Sequence, residues 1–224
     1  KFTDRKRGVS FMLTYKIHLL RHGLTRANLE GRYIGRTDLP LCPEGRAQLE
    51  KLRDTCEYPW AERVYTSPLL RARQTAELLY PGRPLEPLDK LRELDFGAFE
   101  NRTITDLEQD PAFRAWIAAP AGAAPPQGES AAALLGRAVE AVAYIFARMM
   151  EERVTSVAVV THGALIMNLL AAMGLPEREA VRWNAGPGEG YTLLLSAQMW
   201  MRDQKFEVYE QIPYPSGQGD NSDE

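Results

Sequence analysis

His22 and His162 stand in the same local setting, each at the end of a short apolar run and each followed by glycine. Tyr15 to Leu20 closes on Arg21-His22-Gly23, and Val157 to Val160 closes on Thr161-His162-Gly163. Such runs read as buried strands that end in a turn. Ligands of open α/β sheets bind beyond the carboxyl ends of the strands, so two histidines placed this way can share one pocket. A lone His-Gly dipeptide is usually no more than a partly buried turn; here the neighbours change that reading. Arg21 precedes His22, and Arg71 follows the helix-start pair Ser67-Pro68, which offers two guanidinium forks and a helix N-terminus to phosphate oxygens. Nearby arginines also disfavour the imidazolium form of His22 and keep a lone pair for attack on phosphorus near neutral pH. The chemistry on offer is phosphoryl transfer, which needs charge neutralisation, in-line positioning and one proton carrier.

Composition narrows the alternatives. Cys42 and Cys56 are the only cysteines, the third histidine is His18, and there is no HExxH or paired Cys/His spacing. Neither a metal, a cofactor nor a disulfide framework is therefore expected. A formal net charge of −3 gives no broad basic field, which disfavours nucleic acid as a partner and leaves any anionic substrate to local arginines. No stretch reaches the roughly 18 apolar residues of a membrane span. The basic opening KFTDRKRG precedes a run broken by Lys16 and His18 with no small-residue cleavage site, so it does not read as a secretory signal. The expectation is a cytoplasmic protein with a small-molecule phosphomonoester as its partner, no membrane, and room for a homodimer.

The positioning elements follow from pattern. At 224 residues, 45% hydrophobic and 25% charged, the chain suits one domain. Its expected extent is 12–212, with 1–11 as an arm ahead of Met12 and the polar tail 213–224 disordered. Pro43 can open one helix, and Ser67 and Pro68 can serve as N-cap and first residue of another, about 69–80, with Leu69, Ala72, Ala76 and Leu79 on one face. Arg63 to Thr66 reads as a strand. A long helix from about 130 to 152 puts Leu134, Ala138, Ala141, Ile145 and Met149 on one stripe. Tyr191 to Gln198 and Lys205 to Gln211 read as an antiparallel hairpin. Alternating strands and helices imply an α/β fold, a three-layer αβα sandwich whose central sheet is mostly parallel with an antiparallel edge. The low-complexity stretch 118–130, AAPAGAAPPQGES, reads as a mobile loop.

Five blocks in one order resemble the histidine phosphatase superfamily, whose other branch is the cofactor-dependent phosphoglycerate mutases. They are Leu20-Arg21-His22-Gly23-Leu24-Thr25-Arg26-Ala27-Asn28, Gly31 through Gly35 to Asp38-Leu39-Pro40-Leu41, Ser67-Pro68-Leu69 with Arg71-Ala72 and Gln74-Thr75-Ala76, Glu93-Leu94-Asp95-Phe96-Gly97, and Thr161-His162-Gly163. The resemblance implies a phosphoglycerate mutase-like fold in which His22 accepts the phosphoryl group and Arg21, Arg71 and His162 hold its oxygens. It implies that Asn28 adds an amide, that Ile34 and Gly35 lie along the substrate, and that Glu93 is the general acid. Asp38 and Tyr33 stay outside that set as loop-capping and packing candidates, and Asp95 and Glu100 read as solvated or loop-capping carboxylates.

Mutases of this superfamily carry polar groups where this chain has Ile34, Phe96 and Ile104, and two adjacent arginines where Phe113-Arg114-Ala115-Trp116 keeps one. Losing those donors disfavours a carboxylate-bearing substrate. The stretch 31–41 is most similar to small phosphatases of the α-ribazole phosphatase type, although Glu100-Asn101 departs from their usual Glu-Gly. The resemblance thus implies hydrolysis of phosphate esters, α-ribazole phosphate among them. The alternatives are a 2,3-bisphosphoglycerate-dependent mutase and a binder of phosphorylated ligands without turnover, which would need neither His22 nor Glu93.

Overall fold

The structure, a computed structural model, describes residues 13–119 and 122–216. Seven strands form one sheet: β1 (Tyr15–Arg21), β3 (Arg63–Thr66), β4 (Leu85–Pro87), β5 (Ser156–Thr161), β6 (Gly174–Leu175), β7 (Gly190–Leu195) and β8 (Phe206–Ile212), in the order β4-β3-β5-β1-β7-β8-β6. Strands β4, β3, β5 and β1 run parallel, while β7 is antiparallel to both β1 and β8. The expected mixed sheet is the observed one.

Alternation along the buried strands explains the layers. In β1, Ile17 and Leu19 face one cluster and Leu20 the other; in β5, Val157 and Val159 oppose Ala158 and Val160. The first face is covered by α6 (Ala131–Glu152) and α7 (Gly163–Met173), and the second by α2 (Pro43–Thr55) and α3 (Leu70–Leu79). A strand buried on both faces lacks a solvent side, and β5 accordingly reads as a nearly continuous apolar run. Shorter helices include α1 (Arg26–Leu29), α4 (Ile104–Leu107) and α5 (Pro111–Ala118).

Several local expectations are corrected. The segment between β7 and β8 is not a tight turn but a helix of about two turns, α8 (Ala197–Asp203), capped by Ser196; the strand expected to run to Gln198 ends at Leu195. Ser67 is not the N-cap of α3. Leu69 occupies that place without a side-chain cap, and Asp38 Oδ1 instead accepts the Leu70 N–H at 2.6 Å. Residues 213–216, expected within the disordered tail, are ordered: β9 (Tyr214–Pro215) pairs with β2 (Cys56–Glu57). The expected arm 1–11 and the rest of the tail lie outside the described residues. Finally, the described part of the 118–130 loop is tied down. Ala98 N–H donates to Pro126 O at 2.9 Å and Glu129 N–H to Asp95 O at 2.9 Å. Gly97 makes this approach possible at φ +51°, where a Cβ would lie 2.2 Å from Pro126 O.

Candidate active site

Sheet register alone brings the two histidines together. Arg21 pairs with Thr161 across parallel β1 and β5, so the next residue of each strand is a histidine, and His22 N–H donates to Thr161 O at 3.0 Å. The rings meet edge to face with centroids 5.0 Å apart. On the other side of β5, β3 ends at Thr66, Ser67 N–H reaches Val160 O at 2.9 Å, and α3 then carries Arg71 to the same edge.

The His22 tautomer is set by its backbone. Gly23 O accepts from Nδ1 at 2.6 Å, so Nδ1 carries the hydrogen and Nε2 keeps its lone pair. Toward that lone pair points Arg71 Nε, at 3.3 Å. Burial, and then the charge of Arg71, hold the His22 imidazole well below its ordinary pKa; the Gly23 contact opposes them and Arg21 adds to them. A buried nitrogen base beside two guanidinium groups therefore stays neutral and unprotonated at Nε2.

Arg71 is buried, and one N–H of each Nη reaches a carbonyl, Nη1 on Thr37 O at 2.9 Å and Nη2 on Gly35 O at 2.8 Å. Arg21 sends Nη1 to Ala185 O at 2.8 Å, while its buried Nε has no partner. His162 is fully buried with both ring nitrogens unpartnered, and burial followed by Arg71 holds its pKa well below the ordinary value. Buried polar atoms without partners are rare in folded proteins. Here Arg21 Nε and both nitrogens of His162 are unmatched around one histidine lone pair, which is the arrangement expected of a site built for an oxyanion.

Glu93 lies at the start of α7. Its Oε1 accepts from Leu94 N at 2.9 Å and Leu165 N at 3.2 Å, and Oε2 accepts from Ala164 N at 3.0 Å. Burial pushes this carboxyl above its usual value, against the pull of the N–H donors and Arg71. Oε2 holds a single donor and so retains a lone pair for a proton. The sequence reading missed α7, and with it this placement of a carboxylate on a helix N-terminus from 71 positions away.

Other predicted members separate. Asn28 is turned back onto α1: its Oδ1 accepts from Thr25 N and Oγ1, both at 3.0 Å, in a capping box. Only its Nδ2 is left for an anion. Ile34 is buried, and Gly35 sits where a Cβ would be 1.7 Å from Leu94 O. Tyr33 packs against Phe96 at 5.2 Å and Phe113 at 5.6 Å between centroids. Ile104, which stands where mutases carry a polar group, is 59% exposed, because α4 presents Leu107 inward instead. Glu100 was read as a bland loop-capping carboxylate, and it is the organiser of residues 35–37. Two further residues went unnoticed, Glu129 and Arg137. Arg137 had a signal, being a charged residue three after Leu134 and four before Ala141 on the apolar stripe of α6.

Residues 17–201 match the model of the histidine phosphatase superfamily (branch 1). An adenosylcobalamin/alpha-ribazole phosphatase of Salmonella typhimurium is 37% identical over 51% of this chain, which spans 58% of that relative's length. A probable phosphoglycerate mutase of Proteus mirabilis is 32% identical over 72% of this chain and 76% of its own. Among solved structures, the alpha-ribazole phosphatase of Shigella flexneri superposes with a TM-score of 0.71 at 25% identity, covering 87% of this chain and 94% of that one.

Proposed function

The chain belongs to the histidine phosphatase superfamily (branch 1), and from that premise we propose that it hydrolyses small-molecule phosphate monoesters through a phosphohistidine formed at His22. The observation that carries this reading is the Nε2 lone pair of His22, fixed by Gly23 O and faced by Arg71 at 3.3 Å. In the first step Nε2 bonds to phosphorus as the ester P–O bond breaks, and the departing alcohol takes a proton from Glu93. Arg21 and Arg71 neutralise the phosphoryl oxygens and His162 supplies a further ring N–H. In the second step water attacks the phosphorus, gives a proton to the Glu93 carboxylate, and the P–N bond breaks to return the lone pair to His22 and release orthophosphate. The charge this pathway needs is available from side chains, so no metal is assigned to it.

We assign the alcohol to the side of Glu93 where Leu94 lines a cavity of about 220 Å³ together with Trp116, Ala123 and Glu129. Its lining residues are apolar apart from Glu129, which suits a neutral, nucleoside-like alcohol better than an anionic one. The Salmonella and Shigella phosphatases lend support to α-ribazole phosphate as a substrate. The Proteus relative keeps the mutase alternative in the test.

The test is phosphate release from a chromogenic ester, with and without a chelator, in wild type and His22→Ala. Chelator-resistant turnover, an acid-labile and alkali-stable phosphoprotein, and loss of at least about 1,000-fold in kcat/KM on removal of the nucleophile are expected. Wild-type turnover in His22→Ala would overturn the mechanism. Isomerisation of phosphoglycerate faster than phosphate release would move the chain to the mutase branch.

A further inference from the structure

We propose that Arg137 and Glu129 are a positioning pair for Glu93, acting on leaving-group protonation through the backbone on either side of Leu94. The inference rests on the reading of Glu93 as the general acid.

Arg137 stands on the inward stripe of α6, and its guanidinium is fully engaged. Nε donates to Glu129 Oε1 at 2.7 Å and Nη2 to Glu129 Oε2 at 2.7 Å. The second Nη2 hydrogen goes to Glu93 O at 2.9 Å, and Nη1 serves Lys90 O at 2.9 Å and Arg92 O. Five N–H donors thus meet five acceptors. Three of those are backbone carbonyls of the segment that ends on Glu93. From the other side the Glu129 N–H holds Asp95 O at 2.9 Å, so the pair clamps the chain both before and after Leu94. The clamp fixes the backbone at Glu93, from which its carboxylate reaches the Ala164 and Leu165 N–H groups.

Stability is a poor explanation for this arrangement. The two side chains are only 14% and 13% exposed, and a mostly buried ion pair gains little over apolar residues of the same volume. What a guanidinium does here that an apolar group or an ammonium cannot is grip a carboxylate and three carbonyls at fixed angles. Glu129 Oε2 also lies 3.8 Å from Arg36 Nη2, which joins the clamp to the 35–37 loop that holds Arg71.

The experiment measures kcat/KM for an alkyl phosphate and for 4-nitrophenyl phosphate in Arg137→Lys, Glu129→Gln and Glu93→Gln, with the inhibition constant of orthophosphate and the urea midpoint for each. Arg137→Lys should slow the alkyl ester at least about tenfold and the nitrophenyl ester less than about threefold, leaving orthophosphate inhibition within about twofold of wild type. Glu129→Gln should move in the same sense by a smaller factor, and it decides the matter if Arg137→Lys does not fold. Should Glu93→Gln discriminate between the esters while Arg137→Lys and Glu129→Gln slow both alike, the positioning role is wrong and the acid stands. Should Glu93→Gln itself slow both alike, the acid assignment fails and the inference with it.

Discussion

Glu100 and Arg71 hold the 35–37 loop from opposite sides. Glu100 Oε1 accepts the N–H groups of Gly35 at 2.8 Å and Arg36 at 3.0 Å, and Oε2 accepts Thr37 N–H at 3.2 Å and its hydroxyl at 2.6 Å. Arg71 takes the Gly35 and Thr37 carbonyls in return. The peptide dipoles of this loop are therefore aligned between an anion and a cation. The orientation of the candidate phosphate-binding arginine depends on a carboxylate in another motif.

It follows that Glu100→Gln should weaken phosphate binding. An amide replaces one acceptor oxygen with a donor that faces N–H groups, and a hydrogen bond to a charged partner is worth about 1.5–3 kcal/mol. The expected outcome is a loss of roughly 10- to 100-fold in kcat/KM, with a matching rise in the orthophosphate inhibition constant. An unchanged inhibition constant would mean that Arg71 keeps its place without Glu100.

The sheet and the pairing of the histidines were legible because the governing signals are local: two apolar runs of similar length, each ending in His-Gly. What was not legible is long-range polar satisfaction. Asp38 capping α3, Glu93 capping α7 and Glu100 gripping 35–37 join residues 32, 71 and 65 positions apart, and no periodicity encodes such pairs. Helix α7 escaped because its first turn is capped by Glu93 and not by a neighbouring Ser, Thr, Asp or Asn. The 118–130 stretch misled in the other direction. Its composition suggests mobility, yet Gly97, Glu129 and Arg137 anchor its second half.

Turnover should fall off at both ends of the pH range. Phosphorylation requires neutral His22, and burial beside Arg71 keeps its pKa well below 6.5. It also requires protonated Glu93, whose pKa burial raises from 4.5. The alkaline limb belongs to the acid and should flatten for 4-nitrophenyl phosphate, which needs little protonation to leave. Profiles of kcat/KM for two esters of different leaving-group pKa decide this; an acid limb at or above 6.5 would contradict the assigned state of His22.

Folding stability should rise with pH between about 4 and 6.5. His18 is hydrogen-bonded through Nδ1 to Thr192 Oγ1 at 3.1 Å and Nε2 to Ser156 Oγ at 3.0 Å, and burial, aided by Lys16, lowers its pKa to about 4. In that window the unfolded chain binds the proton that the folded one refuses, so the contribution is complete above 6.5 and is lost as the pH falls. For His18 the difference amounts to about 3 kcal/mol at the acid end. His22 and His162 act in the same sense, while Glu93, with its raised pKa, acts against them. Urea midpoints at pH 7.5 and 5.0 should differ clearly, and His18→Gln should reduce the difference. A flat profile in wild type would show that the imidazoles are solvated.

Gly35→Ala should cost both stability and phosphate affinity, for a steric reason that does not involve backbone dihedrals. A Cβ at this position would lie 1.7 Å from Leu94 O and 2.7 Å from Glu100 Oε1. The first neighbour is backbone next to Glu93, so the loop, not the neighbour, must move. Overpacking of this kind costs about 1–3 kcal/mol. Displacing Gly35 also withdraws the carbonyl that holds Arg71 Nη2, so the orthophosphate inhibition constant should rise together with the loss of stability. Gly136→Ala provides the control, since a Cβ there, on α6, meets nothing within 4 Å and should stabilise the helix by about 0.5–1 kcal/mol. Equal behaviour of the two variants in urea unfolding and in orthophosphate inhibition would remove the steric argument for this loop.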